Sequence, residues 1–301
     1  MTSIATDEGT IARDSAPTSA SIARTRVRIW MRRMPVALWG YGALGLALVA
    51  LGIVGPYLVS DPTIGQLSER MQGIGASGHP LGTDGLGRDV LDRLVAGARP
   101  SMTAALVPVI IAGILGTVLG MAAGMSGRGI HSAIMRTLDV FYAFPAVLLA
   151  IAIATALGAG TTSTVIALSI VLIPPVARIA ETETLRLAGM DFMESAQVSG
   201  ASRIAIAYRQ VLPNVAPALL VYCTSLVGLA LVFAGGLSFL GLGVAPPKPE
   251  WGQMVGDQRQ YLFSHPAAAL IPACVIFAAS FVFNMLGDAL SDALDVRRRI
   301  R

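Results

Sequence analysis

Lysine occurs once in this chain of 301 residues, at Lys248 in the stretch APPKPE. A phosphate-binding Walker loop needs a lysine directly after its glycines. The chain is therefore not expected to be a Walker-type ATPase. Charge of either sign is scarce: 13% of residues are Asp, Glu, Lys or Arg, against 54% hydrophobic, and mean hydropathy is +0.68. A water-soluble domain averages about 25% charged residues. Half of that is too little to cover a surface facing water, so lipid is the solvent. The two cysteines, Cys223 and Cys274, fall inside apolar runs and read as small packing residues. Neither a disulfide nor a redox compartment follows from them. The three histidines, His79, His131 and His265, are far apart in the sequence, and neither HExxH nor GxSxG occurs. No catalytic residue and no metal site is expected.

Long apolar runs are what the chain does have. A spanning helix needs roughly 20 apolar residues to cross a ~30 Å hydrocarbon core. Six such runs are read at about 36–59, 101–125, 137–158, 162–180, 214–238 and 267–290. None alternates as a barrel strand does, so the expected fold is all-α with six transmembrane helices. Ionisable residues are nearly absent at mid-depth; Asp139, Arg178 and Asp288 fall near one end of their runs. A proton-driven carrier usually holds Asp, Glu or His within the membrane, which argues against that class.

Arginine sets the orientation. Six spans place both termini on one side, with sixteen of the twenty-two Lys and Arg residues. That side should be cytoplasmic. The basic balance then reports topology and anionic lipid. Nucleic acid is not an expected partner, since no basic face carries interleaved aromatics. Residues 1–34 read as a polar tail followed by ARTRVRIWMRRM, either a helix lying at the inner interface or ordinary flanking charge. Residues 35–301 form the membrane domain.

Gly116, Gly120 and Gly124 recur every fourth residue in the second span, a small-xxx-small face for close helix contact, whether fixed or sliding. Pro174 and Pro175 lie in the fourth span, as a kink or a tolerated bend. On the outer side, Val90, Leu91, Leu94 and Val95 set against Asp89, Asp92 and Arg93 suggest an amphipathic interfacial helix.

The segment MDFMESAQVSGASRIAIAYRQVLPN, from Met190 to Asn214, is charged and glycine-broken between two apolar runs. Asp191 and Glu194 have capping-box spacing, Gly200 suits a left-handed stop, and Ser202 can begin a second helix. Ile204, Ala207, Tyr208, Val211 and Leu212 would form its apolar stripe, and Pro213 would end it. Glu194 should point outward.

ESAQVSGASRIAIAYRQVLP resembles the EAA loop of ABC importer permeases: Glu-Ala-Ala, three residues, Gly, nine residues, Ile, one residue, Leu-Pro. Glu194, Ala196, Gly200, Leu212 and Pro213 match at that spacing. Ser195 replaces an alanine and Gln210 the isoleucine. HPLGTDGLGRDVLDRL, SFLGLGVAPPKPEWGQM and FNMLGDALSDALDVRRR resemble the C-type permease subunit of dipeptide, oligopeptide and nickel importers. The resemblance covers nearly the whole chain after residue 30. It implies the ABC importer permease (type I) fold, in a bacterial cytoplasmic membrane. It also implies a coupling helix in about 190–213, in which Asp191, Glu194, Ser195, Ala196, Gly200, Ala201, Arg203, Leu212 and Pro213 meet a separate ATPase. Asp84, Arg88 and Trp251 are outer residues that either meet a substrate-binding protein or pack internally. The implied partners are a related B-type permease, two ATP-binding subunits and an extracytoplasmic binding protein. ATP and Mg would sit on the ATPases, with no cofactor on this chain. The implied cargo is dipeptides or oligopeptides; a nickel chelate, glutathione or haem on the same architecture stays open. A passive channel or scaffold would not need a coupling helix.

The arginine asymmetry has a direct test. In a background lacking Cys223 and Cys274, Ser202→Cys should resist an impermeant thiol reagent applied to intact cells. It should react once the membrane is opened, and ready labelling of intact cells would reverse the orientation.

Overall fold

The computed structural model describes the chain from 36 to 298. The expected tail and interfacial helix within 1–34, Arg299 and Arg301 lie outside the described residues. Helices account for most of the described residues, and no strand occurs among them. In chain order they are α1 (Val36–Val54), α2 (Val90–Gly124), α3 (Arg128–Tyr142), α4 (Ala146–Leu157), α5 (Thr161–Ala188), α6 (Asp191–Val198), α7 (Arg203–Ile206), α8 (Leu212–Phe239), α9 (Trp251–Gln258) and α10 (Pro266–Arg298). Five helices are long and apolar enough to cross a membrane, and the bent pair α3–α4 brings the count to six.

That pair corrects the third expected span. In place of one helix over 137–158, α3 and α4 meet at 87°. Pro145 explains the break, because it lacks an N–H and biases Phe144 away from helical backbone. α3 buries Met135 and Leu138 and leaves Arg128 and Arg136 exposed. The fifth span is corrected in the opposite sense. Pro213 does not stop the helix, which runs from Arg203 to Phe239 through a π-turn at Ala207–Val211. Widening the turn there accommodates the missing N–H of Pro213. Pro174 and Pro175 likewise lie within a single helix, α5.

The packing spine is α2 against α5. A β-carbon on Gly116 would sit 2.8 Å from Val176, and one on Gly124 would sit 2.8 Å from Thr184. At Gly120 it would collide with the Ala177 carbonyl. The three glycines therefore bring two backbones into contact, as small residues do where lipid supplies no hydrophobic drive. Val109, Ala112, Leu172 and Val176 continue the seam, and Val215, Leu226 and Ala230 of α8 close the same core.

At the end of the bundle where α2 begins, the expected interfacial helix is the start of α2 itself. Asp89 caps it, Oδ1 accepting from the Asp92 N–H at 2.9 Å. Arg93 is 1% exposed rather than facing out. Its guanidinium lies 3.5 Å from Asp84 Oδ2 and 3.9 Å from Asp257 Oδ2. It also donates to the carbonyls of Pro62 at 3.2 Å and Pro247 at 3.4 Å. Arg88 Nε donates to Asp84 Oδ2 at 2.7 Å. Trp251 is 1% exposed and donates from Nε1 to the Leu94 carbonyl at 2.8 Å. Glu250 caps α9 through the Gly252 and Gln253 N–H groups and accepts from Ser101 Oγ at 2.9 Å. Asp84, Arg88 and Trp251 are thus buried within this chain. Arg93 is the hub that ties the 58–89 segment, α2 and α9 together.

His79 fastens the same segment. Nδ1 lies 2.6 Å from Asp89 Oδ2 and Nε2 lies 3.4 Å from Glu69 Oε2. Donation from both ring nitrogens needs the imidazolium. Hydrogen bonding to Asp89, outweighing partial desolvation, raises the His79 pKa, with help from Glu69. Asp92 and Asp61 share the small cavity beside it. A raised folded pKa means that this stabilisation is complete below the ordinary histidine value and fades as pH rises through the folded one.

Two outcomes follow. Gly120→Leu overpacks the spine, at about 1–3 kcal/mol or more, and should lower the thermal midpoint of the purified protein. Gly127→Leu should not, since nothing lies within 4 Å of that position. Amides of residues 66–89 should be better protected from hydrogen exchange at about pH 6 than at about pH 8.5, after correction for intrinsic rates. His79→Gln should abolish that difference.

Candidate functional site

The sequence-marked segment 190–213 projects from the C-terminal end of α5. The α5 helix ends at Ala188, and the Met190 carbonyl accepts from the Met193 N–H at 2.9 Å as α6 begins. Asp191 is the first residue of α6 rather than its cap, which corrects the capping-box reading. With Glu194 it lies in the first turn, where the helix dipole favours carboxylates. Ser195 Oγ donates to the Asp191 carbonyl at 2.9 Å.

Gly200 ends α6 as the spacing predicts. Its φ is +76°, and the Ala201 N–H donates to the Ala196 carbonyl at 3.2 Å, the six-to-one bond of a left-handed helix stop. Ser202 then caps α7, Oγ accepting from the Ala205 N–H at 3.3 Å. The apolar stripe on this second turn is not the expected one. Ile206 and Val211 are buried, whereas Ile204 is 82% and Tyr208 is 71% exposed. The π-turn shifts the helical phase, so a stripe counted at regular spacing lands on the wrong face. Ala207 and Leu212 are half-buried, as expected of the stripe.

The segment is held from behind and open in front. Met193, Ile206 and Val211 sit in the main core. Asp191, Glu194, Ser195, Gly200, Ala201, Arg203 and Pro213 are exposed, and Ala196 and Leu212 are half-buried. Among the described residues, Asp191, Glu194, Arg203 and Arg209 take part in no ion pair. Val198, 84% exposed, joins Ile204 and Tyr208 in an apolar set beside those charges. Sequence reading missed Val198; the available signal was an apolar residue in the last turn of a short polar helix. A cavity of about 480 Å³ lies alongside, between α5, α8 and α10, with Met190 and Phe192 on its wall. The arrangement carries no reactive constellation. It is a ridge that presents charged and apolar side chains outward.

Asp84 and Arg88, 3% and 5% exposed, lie with Trp251 at the opposite end of the bundle. The structure does not bring them together with the 190–213 segment.

Comparison with known proteins agrees with this geometry. Residues 116–300 match the family of binding-protein-dependent transport system inner membrane components. The glutathione transport system permease protein of Pectobacterium atrosepticum is 37% identical over 255 residues, 84% of this chain and 85% of that protein. The dipeptide transport system permease protein of Alkalihalophilus pseudofirmus is 40% identical over 232 residues, 77% of this chain and 76% of that protein. The fold also resembles a chain of the inward-facing MetNI methionine ABC transporter, with a TM-score of 0.55 at 16% identity. That match covers 67% of this chain and 96% of the other. The chain belongs to the binding-protein-dependent transport inner membrane components and is an ABC importer permease of the peptide and glutathione family.

Proposed function

We propose that this permease forms half of a translocation pathway for small peptides, with glutathione among the candidates, and that the 190–213 segment is its coupling element. The observation that carries this reading is the combination at α6 and α7: buried anchors behind, with charges that form no ion pair among the described residues and bare apolar side chains in front. One chain presents one such element, and alternating access needs two halves around one path. The other half is a related B-type permease. Two ATP-binding subunits hold ATP and Mg and receive the two coupling elements, while this chain binds no cofactor. An extracytoplasmic binding protein delivers the cargo. Both termini are cytoplasmic in a bacterial plasma membrane, as the arginine distribution supports.

In this reading, ATP binding draws the ATPases together, α6 follows its groove, and the spans switch between outward and inward openings. Glu194 pairs with a basic residue of the groove, while Val198, Ile204 and Tyr208 are covered by it. The substrate class rests on the relatives: one is named for glutathione and another for dipeptides. Glutathione is itself a small peptide, so the two names describe one chemistry.

The decisive experiment is uptake and substrate-stimulated ATP hydrolysis by the reconstituted complex. Glu194→Lys places like charges together in a desolvated contact. Breaking a buried pair costs about 3–5 kcal/mol, on the order of a hundredfold or more in affinity. The motor should detach or idle. Gly200→Ala strains a left-handed residue by about 1–2 kcal/mol and should impair transport only partly. A β-carbon there meets nothing within 4 Å among the described residues, so a severe loss with a bulky residue, beyond the loss with alanine, would point to a clash in the partner. Normal coupled uptake by Glu194→Lys would remove α6 as the coupling helix.

A further inference from the structure

Three large apolar side chains stand exposed where hydrocarbon does not reach. Ile64, Leu67 and Leu86 are 71%, 69% and 53% exposed, and all three belong to the segment between α1 and α2. From Val36 to Gly55 the chain runs about 30 Å at 1.5 Å per residue, a full hydrocarbon core. A β-carbon on Gly55 would fall 2.7 Å from the Val95 carbonyl oxygen, so the end of that run is level with Val95. From there α2 extends back to Val90, about 7 Å further out. The apolar three are tied to the chain just before it. The Gln66 N–H donates to the Gly87 carbonyl at 3.2 Å, and a β-carbon on Gly65 would fall 2.5 Å from the Leu86 carbonyl oxygen. They therefore lie past the hydrocarbon, where a set of bare apolar side chains marks a contact for another molecule.

Ile64 also borders the cavity beside His79. That cavity measures about 300 Å³, and Asp61, Glu69, Asp89 and Asp92 share its wall with the histidine. Glu69 and Asp89 are the two carboxylates that His79 engages. Among the described residues, Asp61 accepts from Thr63 alone, and the Asp92 carboxylate has no hydrogen bond or ion pair. Arg88 and Arg93 are turned to Asp84 and Asp257 instead. Four carboxylates against one imidazole leave the cavity negative in either protonation state of His79.

We propose that this cavity and its apolar rim are a docking surface for the extracytoplasmic binding protein. That protein seats an arginine or lysine side chain among Asp61, Glu69 and Asp92 and lays apolar surface on Ile64, Leu67 and Leu86. Charge complementarity selects the partner's chemistry. The carboxylates repel anionic lipid, and they form strong charge-assisted bonds with a guanidinium or ammonium group. The cavity admits one long side chain and no folded element. The apolar rim keeps water away from the charged contact. Opposite charges at a contact speed encounter more than they prolong it, which suits a partner that arrives loaded and leaves empty. Asp84, Arg88 and Trp251 are buried and do not belong to this surface. The inference rests on the importer reading above, which puts this end of the bundle outside the cell.

The test uses the complete transporter in lipid nanodiscs. The probe is the binding protein that stimulates ATP hydrolysis by the reconstituted wild-type complex. Asp61→Asn with Asp92→Asn should weaken its binding about tenfold at low salt. The same pair should flatten the fall in affinity between about 50 and 300 mM salt, which a merely structural role would leave unchanged. Ile64→Ser with Leu67→Ser should weaken binding about tenfold and keep the wild-type salt slope. Wild-type affinity and slope in both double variants would overturn the inference. Loss of the other permease from the variant complexes would assign this face to assembly and overturn it as well. So would strong quenching, by nitroxides on lipid chains, of a fluorophore attached at Ile64→Cys in a background lacking Cys223 and Cys274, because lipid would then cover the rim. Stimulated wild type with unimpaired variants defeats this surface alone; a wild type that no binding protein stimulates defeats the importer reading itself.

Discussion

The contact between α2 and α5 at Gly116, Gly120 and Gly124 is the constraint on which the rest depends. In lipid, helices gain little from burying apolar surface, so they associate by fitting closely. Here the fit is close enough that a single added methyl group would meet backbone at Gly120. The α5 helix is thereby fixed along most of its length against α2. Its C-terminal end, from which α6 projects, is fixed with it. α8 packs against both helices.

The two ends of the bundle are built on different principles. At the end that carries α9, the charges are turned inward: Asp84, Arg88, Arg93 and Asp257 neutralise one another beneath a folded segment, and Glu250 spends its oxygens on the start of α9. At the other end, the charges of 190–213 are turned outward and take part in no ion pair among the described residues. Internal neutralisation makes a stiff cap, whereas outward charge makes a surface that needs a complement. That contrast makes the 190–213 end, and not the other, the one that presents uncompensated charge at its surface.

How much of this was legible in the sequence depended on whether the cause was local. The apolar runs, the glycine periodicity, the stop at Gly200 and the Ser202 cap are set by neighbours within a few residues, and each appears in the structure. The outward face of Glu194 belongs with them. Arg93 was not legible. Its helix pattern puts it on a polar face, and only partners as remote as Pro247 turn that face inward. Trp251 is the same case, since its ring donates to Leu94. Ile204 and Tyr208 were misplaced because a π-turn, invisible in a regular count, rotates the stripe. The α3–α4 bend was signalled by Pro145, but the apolar run crossing it hid the signal.

The unbroken helix from Arg203 to Phe239 has a mechanical consequence. It is 37 residues long, or about 55 Å at 1.5 Å per residue. Near Gly228 it is pressed against α10, where an added β-carbon would fall 2.6 Å from the Asn284 amide. A stiff rod held there behaves as an unequal balance beam. The arm toward Arg203 is roughly twice as long as the arm toward Phe239. A push at the Arg203 tip would swing the Phe239 tip the opposite way, through a smaller arc and with greater force. Opening at one membrane face and closing at the other would then be two ends of a single displacement, with no separate signal passed between them.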